Sequence, residues 1–460
     1  MCGCANLVMP LTTTRTIRGF IPSNEVLWGS AAALAIKFTG SILGFAMFAL
    51  AARSMEPHAF GTLAVIFNAM SFLAVIAACG QETLIVRSWD EYRGTDRPAL
   101  ARGALAFGVK VTAGAGFAVA IIVAGAWPLV QPDLPLALML AASAFLLLQA
   151  FMNFSAQFSR VAAGVVTGEM PREILWRLAV VAIILGHRAL QTPFTTVEFF
   201  VSAAVAIALS IVLQQVLVAR VLPRAVTAAK SEYDSAGWIP RSFRMWLSAI
   251  LDTSSQYLEV IAIGLFLGPT VAAFYFVATR ITNVFAMISG SITAYATSQI
   301  SNLFHRNAKD ELQAILRSLA IISAILASGA FLVIAFGGKL LLWIFGPVYL
   351  SAYPALLVLT AGASIGALAG PASYLLLLTG NEGVFPRILA CGLLARFVLI
   401  ALLGPWLGLI GAAIAWSVST IGVASVLVVA CRQRTGLDPS LLGVILRPRP
   451  AEPNLKGSVP

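Results

Sequence analysis

Three cations and two acids lie where hydrocarbon should be. Lys37, Arg280 and Arg396 each fall near the middle of a long apolar stretch, and Asp252 and Glu259 share another. A charge at the centre of a membrane helix costs on the order of 2.5–3.5 kcal/mol on insertion scales, so such residues face a bundle interior or a water-filled cavity. Spacing groups the acids. At 3.6 residues per turn, Gln256 and Glu259 lie about 40° and −20° around the axis from Asp252, a single polar stripe with its carboxylates about 10 Å apart. Two chemistries suit this set. Three cations against two acids leave one positive charge in surplus, which an anionic ligand would neutralise, and an arginine fork matches paired oxygens better than a lysine point charge. The stripe of Asp252, Gln256 and Glu259 suits a proton or coupling cation whose binding alternates with that of the anion. The structural alternative stays open, in which the cations pair with Asp252 and Glu259 as buried ion pairs. Lys110 lies near a span end and can reach water with its head group.

No catalytic constellation competes. His58, His187 and His305 are far apart, and the chain has no P-loop, GxSxG or HExxH. Cys2 and Cys4 form a CxC without a second ligand pair, and Cys79, Cys391 and Cys431 are scattered. The expectation is a protein that is not an enzyme, with no catalytic residues, no cofactor and no metal site.

The elements that must position these residues are membrane helices. Of 460 residues, 59% are hydrophobic and 11% charged, against about 25% charged in soluble domains, and mean hydropathy is +0.91. Apolar runs of roughly 20 residues match the bilayer core. They predict twelve spans, near 26–52, 61–85, 104–127, 134–157, 172–187, 196–219, 245–267, 270–298, 317–336, 352–379, 386–403 and 408–430. The fifth has the shortest clean apolar core, and the first is too long for the apolar region of a signal peptide. With the N-terminus inside, 23 of the 30 Lys and Arg fall in cytosolic segments and three in outer loops, as the positive-inside rule requires. That bias accounts for the net charge of +11 without a nucleic-acid partner. The expected plan is a cytosolic segment 1–25, an N-lobe 26–219, a cytosolic connector 220–244, a C-lobe 245–430 and a cytosolic tail 431–460 that is partly disordered, Pro-rich and polar from Arg447.

Small residues mark close helix contacts. Gly40 and Gly44 form a GxxxG in the first span, and Gly362, Gly366 and Gly370, followed by Pro371, extend the spacing in the tenth. Such ladders let backbones approach, and the proline adds a kink. Static packing and a bending hinge both fit.

Each half opens with a span, a short Pro-containing turn and a return span, the turns reading MEPHAFGTLAV from Met55 and LGPTVAAFYFV from Leu267. Together with ACGQETLIVR (Ala78–Arg87), YFVATRITN around Arg280, LWIFGPVYLSAYPAL (Leu342–Leu356) and GPWLGLIGAAIAW (Gly404–Trp416), these stretches resemble the polysaccharide flippase family of the multidrug/oligosaccharidyl-lipid/polysaccharide (MOP) exporter superfamily. The resemblance runs from about Gly40 to Ala430. It departs at Ala272–Ala273, where the family's turn suggests a glycine-tyrosine pair. The resemblance implies an all-α polytopic membrane protein, with about twelve helices in two six-helix lobes forming a V-shaped, MATE-like bundle. It implies a flippase in the bacterial inner membrane that moves a polyprenyl-pyrophosphate-linked oligosaccharide for O-antigen, exopolysaccharide or capsule. Lys37, Arg280 and Arg396 would hold the pyrophosphate. Membrane lipids and a polysaccharide polymerase complex would be the partners. The alternatives are a cation-coupled multidrug exporter of the same superfamily and a membrane-embedded polymerase or ligase. The first calls for an acidic or aromatic cavity, the second for a large periplasmic domain.

Overall fold

The computed structural model describes residues 24–130, 134–283, 308–378 and 383–441, with isolated positions between 300 and 306 and at 443. Cys2, Cys4, His305, the stretch 284–298 of the expected eighth span and the tail from Arg447 lie outside the described residues. Those described are almost entirely helical. In chain order the helices are α1 (Asn24–Ser54), α2 (Pro57–Ala78), α3 (Gln81–Gly94), α4 (Pro98–Val130), α5 (Leu136–Ala163), α6 (Val165–Met170), α7 (Trp176–Ala189) and α8 (Thr196–Ala219). Then follow α9 (Arg224–Ala228), α10 (Ser235–Leu267), α11 (269–283), α12 (Lys309–Phe345), α13 (Tyr353–Ala367), α14 (Ala372–Leu378) and α15 (Val384–Thr435).

Local chemistry sets the breaks. Pro57 opens α2 at a position where its missing N–H is no loss. Cys79 and Gly80 adopt left-handed backbone (φ 50° and 71°) and separate α2 from α3. Gly80 tolerates this without a Cβ penalty, and its bare α-carbon also admits the backbone of α10 at Trp246. Between α6 and α7, Pro171–Leu175 forms a π-helical turn, because Pro171 supplies no donor to the α-helical ladder. The expected fifth span is therefore a bent helix that begins earlier than 172. Thr195 and Glu198 make a capping box that starts α8.

Nine helical stretches among the described residues are long and apolar enough to cross a membrane. That is fewer than the twelve expected, for three reasons. The expected eleventh and twelfth spans share the single run α15, bent at Gly408 (φ 56°, ψ −129°). The π turn divides the fifth. The eighth is described only as far as 283. The expected tenth, 352–379, divides into α13 and α14 around Gly370, whose φ is 62°.

The expected connector, 220–244, is packed against the bundle and runs into a helix. Residues from Ser235 onward already belong to α10, capped by the Asp234 carboxylate on Gly237 N at 3.1 Å. The part before it lies on α4. Arg102 donates to the carbonyls of Thr227 and Ala229, the latter at 2.7 Å, and Glu232 N donates to Ala99 O at 3.1 Å.

The main core draws on both halves, from Met47 and Phe60 to Leu356 and Ala412. α5 packs on α2, α4 and α8; α13 packs on α12 and α15; α10 joins them by touching α2 and α15. Outward-facing positions are apolar too: Ile121, Leu209, Phe336 and Trp406 are all strongly exposed, the surface that lipid demands.

At the end opposite the connector the halves close on each other. Phe60 meets Phe276 and Tyr349 at ring distances of 5.9 and 6.0 Å, and Phe45 meets Phe345 at 4.8 Å. A methyl group on Gly61 would collide with the Pro269 carbonyl. Arg53 donates to the carbonyls of Ile344 and Trp343 at 2.7 and 2.6 Å, the last turn of α12, where the helix dipole favours a cation.

Candidate functional site: a cavity walled by three arginines

Below that closure, α1, α2, α7, α10, α11 and α15 surround a cavity of about 810 Å³. Its charged lining among the described residues is Arg177, Arg280 and Arg396 against Glu173 and Glu259. The lining carries one more positive than negative charge, with Arg177 and Glu173 in place of the Lys37 and Asp252 that the sequence suggested.

Arg280 projects from α11 onto two aromatic faces. Its guanidinium carbon lies 4.6 Å from the Phe276 ring and 5.1 Å from that of Phe48, and those rings pack edge to face at 4.9 Å. The ring quadrupoles attract the cation but do not neutralise it. Among the described residues, no carboxylate lies within 4 Å of Arg280.

Arg396, on α15, is held quite differently. It is 8% exposed and ion-pairs with Glu259 Oε1, itself 5% exposed. Its other nitrogens donate to Ser419 Oγ at 3.4 Å and Thr420 Oγ1 at 3.2 Å, and the guanidinium lies over Trp416. Tyr275 donates its hydroxyl to Glu259 Oε2 at 3.1 Å. Each guanidinium nitrogen and each carboxylate oxygen of this pair has a hydrogen-bond partner, which lowers the penalty of burying it. Of the buried ion pairs the sequence left open, the structure shows this one, between Arg396 and Glu259.

The third arginine was not singled out from the sequence. Glu173 sits in the π-helical turn, and Arg177, one turn on, pairs with its carboxylate at 2.6 Å. The two come to the wall because Gly40 lets α1 lie against the turn. A methyl group there would stand 2.8 Å from Glu173 O and 3.0 Å from Arg177 Nη1, and one on Gly44 3.7 Å from Arg177 Cδ. The i,i+4 Glu–Arg spacing behind Pro171 was the available signal.

The other expected site residues separate. Gln256 lines the cavity, but Asp252 is exposed and outside the lining. The polar stripe thus divides, its upper part in the wall and its lower end beyond it. Lys37, a turn before Gly40, is also exposed and outside the lining, within electrostatic reach of Glu173. Gly362 and Gly366 are packing contacts: a methyl on the first would stand 2.7 Å from Ser417 Cα, and on the second 3.1 Å from Thr420 Cγ2. They hold α13 against the part of α15 that carries the hydroxyl ligands of Arg396. Gly370 and Pro371 lie at the break between α13 and α14, where Gly370 meets the Pro439 carbonyl. Among the described residues no group of three His, Cys, Asp or Glu is placed to hold a metal ion.

Comparison with known proteins agrees with this architecture. The chain is similar to an inward-facing multidrug resistance MATE family transporter of the MOP superfamily (TM-score 0.73, 14% identity, covering 88% of this chain and 98% of that one). It is also similar to the lipid II flippase MurJ in an inward closed conformation (TM-score 0.66, 13% identity, 87% of each chain). A third likeness is a MOP superfamily transporter from Pyrococcus furiosus Vc1 (DSM3638), described as having a binding pocket of reversed polarity (TM-score 0.60, 14% identity, 89% of this chain and 95% of that one). No curated protein matches the chain. The fold is therefore MATE-like. The family model described as polysaccharide biosynthesis protein matches residues 26–300, and the chain belongs to that family.

Proposed function

We propose that the protein is a flippase that carries a polyprenyl-pyrophosphate-linked oligosaccharide across the bacterial inner membrane by alternating access, for assembly of a surface polysaccharide. The observation that carries this reading is Arg280, a guanidinium on the cavity wall with aromatic support and no carboxylate within 4 Å among the described residues. A cavity with a net positive wall suits an anionic head group and disfavours a cationic drug. Arg280 and Arg177 bind the pyrophosphate first, and Lys37 lies one turn away on the connector side.

In this reading the halves form two six-helix lobes with twelve spans, both termini and the connector in the cytosol, and a polysaccharide polymerase complex receives the product. Glu259 supplies the coupling. A proton or cation on its carboxylate releases the Arg396 fork to the cargo, and loss of that ion takes it back. Asp252 and Gln256 lead toward it along α10.

The test is flipping of a polyprenyl-pyrophosphate-linked oligosaccharide in proteoliposomes, read by access of an added glycosidase. Arg280→Ala is expected to abolish flipping and Arg280→Lys to restore part of it, because a point charge replaces a fork. Full flipping by the Ala variant at normal protein level would overturn the assignment. A cysteine at Ser235 is expected to resist an impermeant reagent applied from the periplasm, and ready labelling would overturn the topology.

A further inference from the structure

A second, smaller cavity of about 310 Å³ lies apart from the first and shares no residue with it. It sits where α3 meets the beginning of α10, toward the connector end of both helices. Three arginines line it, Arg87 from α3 and Arg241 and Arg244 from α10, together with Glu91, Ser88 and the apolar pair Leu84 and Met245. Glu91 is committed to Arg241, at 3.2 Å. Among the described residues neither Arg87 nor Arg244 has a carboxylate within 4 Å, and Arg244 makes only a 3.3 Å hydrogen bond from Nε to the Pro240 carbonyl.

Ser88 adds an independent observation. It is 1% exposed and lines this cavity, yet among the described residues its hydroxyl has no hydrogen-bond partner. A buried serine in a helix ordinarily donates to the carbonyl four residues back, as Ser254 and Ser417 do here. An orphaned buried hydroxyl is costly. Beside two uncommitted guanidinium groups, it marks the place of an acceptor.

We propose that this cavity binds the phosphoryl group of an anionic membrane lipid. Two arginine forks meet phosphate oxygens, and the Ser88 hydroxyl donates a further hydrogen bond. The depth favours a lipid over a free ion. α3 ends one candidate span and α10 is another, so the arginines lie near a head-group level while Leu84 and Met245 continue inward as an apolar floor. Because α3 and α10 belong to different halves, the bound lipid bridges them.

The site is independent of the cavity cargo and can be tested without it. The full chain is transferred to nanodiscs of phosphatidylcholine containing a few per cent phosphatidylglycerol, and retained phosphatidylglycerol is counted by native mass spectrometry after detergent release. The wild type is expected to keep one phosphatidylglycerol in preference to phosphatidylcholine. Arg87→Ala/Arg244→Ala is expected to weaken that retention on the order of 30-fold, from about 1 kcal/mol for each basic residue near an anionic surface. Ser88→Ala, which removes only the hydroxyl, is expected to weaken it a few-fold. A monodisperse double variant with undiminished retention would overturn the proposal. So would a wild type that binds inorganic phosphate but shows no preference for phosphatidylglycerol, since that result assigns the site to a free anion.

Discussion

Two corners of the same cavity treat an arginine in opposite ways. At one, α15 and α10 enclose Arg396 with Glu259, two hydroxyls, Tyr275 and Trp416. At the other, α11 lays Arg280 across Phe48 and Phe276, with no carboxylate within 4 Å among the described residues. The first arrangement is a finished ion pair, which any anionic ligand would have to break. The second is a charge that remains to be neutralised, held in place by rings that cannot accept its protons as hydrogen bonds of full strength. Burial and charge alone do not distinguish structural from ligand-binding arginines here. The partner set does.

Breaking the finished corner is expected to give the largest effect on folding. Glu259→Gln leaves the Arg396 guanidinium buried beside a neutral amide, and removing one partner of such a pair costs roughly 3–5 kcal/mol. Thermal unfolding in detergent is expected to show a marked fall, and replacing Arg396 together with Glu259 by apolar residues is expected to recover most of it. An unchanged melting temperature in Glu259→Gln would mean the corner is not a closed pair.

Arg280→Ala sharpens the contrast from the other side. The change gives up a cation–π contribution of about 0.5–2 kcal/mol, so the protein is expected to fold and insert normally while losing flipping. A variant that fails to accumulate in the membrane would place Arg280 with the structural arginines.

Arg53 supplies an intermediate case, a cation satisfied by carbonyls instead of carboxylates. It ties α1 to the last turn of α12 at the closed end. Arg53→Ala is expected to cost about 1 kcal/mol of that closure. Spin labels at His58 and Val348 are expected to report a broader and longer distance distribution. An unaltered distribution would leave the closure to the aromatic contacts of Phe45 and Phe60 alone.

The smallest effect belongs to an arginine pair outside the spans. Arg432 donates to Asp438 at 2.6 Å in the turn after α15. Burial pushes the Asp438 carboxyl up, but hydrogen bonds from Ser440 and Arg432 outweigh it and hold the carboxyl below its usual range. A depressed carboxylate contributes stability above the unfolded pKa and loses it as pH falls through the folded one. Acidification below about pH 4 is therefore expected to loosen the segment that bonds Leu441 N to Leu368 O at 3.0 Å. Asp438→Asn is expected to speed amide exchange at Leu441 a few-fold at neutral pH and to remove its acid dependence. Exchange that is equal in both proteins would show the pair to be idle.

The sequence alone determined the class of the molecule and the neighbourhood of its charges. A 59% hydrophobic chain with 11% charge is too apolar for a soluble surface, so charges within a span are expected to turn inward, and Arg280, Arg396 and Glu259 line the cavity. The close approach at the glycine ladders was legible too, because a helix face without side chains lets a neighbour come near, as Gly40 and Gly362 show. Pairing was not legible. Glu259 and Arg396 are 137 residues apart, and helical periodicity orients a residue about its own axis without saying which helix stands opposite. The same limit hid Arg177, whose place on the wall depends on the π turn at Pro171 rotating α7 and on α1 lying against it. It also misplaced Lys37 and Asp252. Both are mid-span by count, yet the depth at which the cavity begins is set by how the helices diverge, and only the packed bundle decides that.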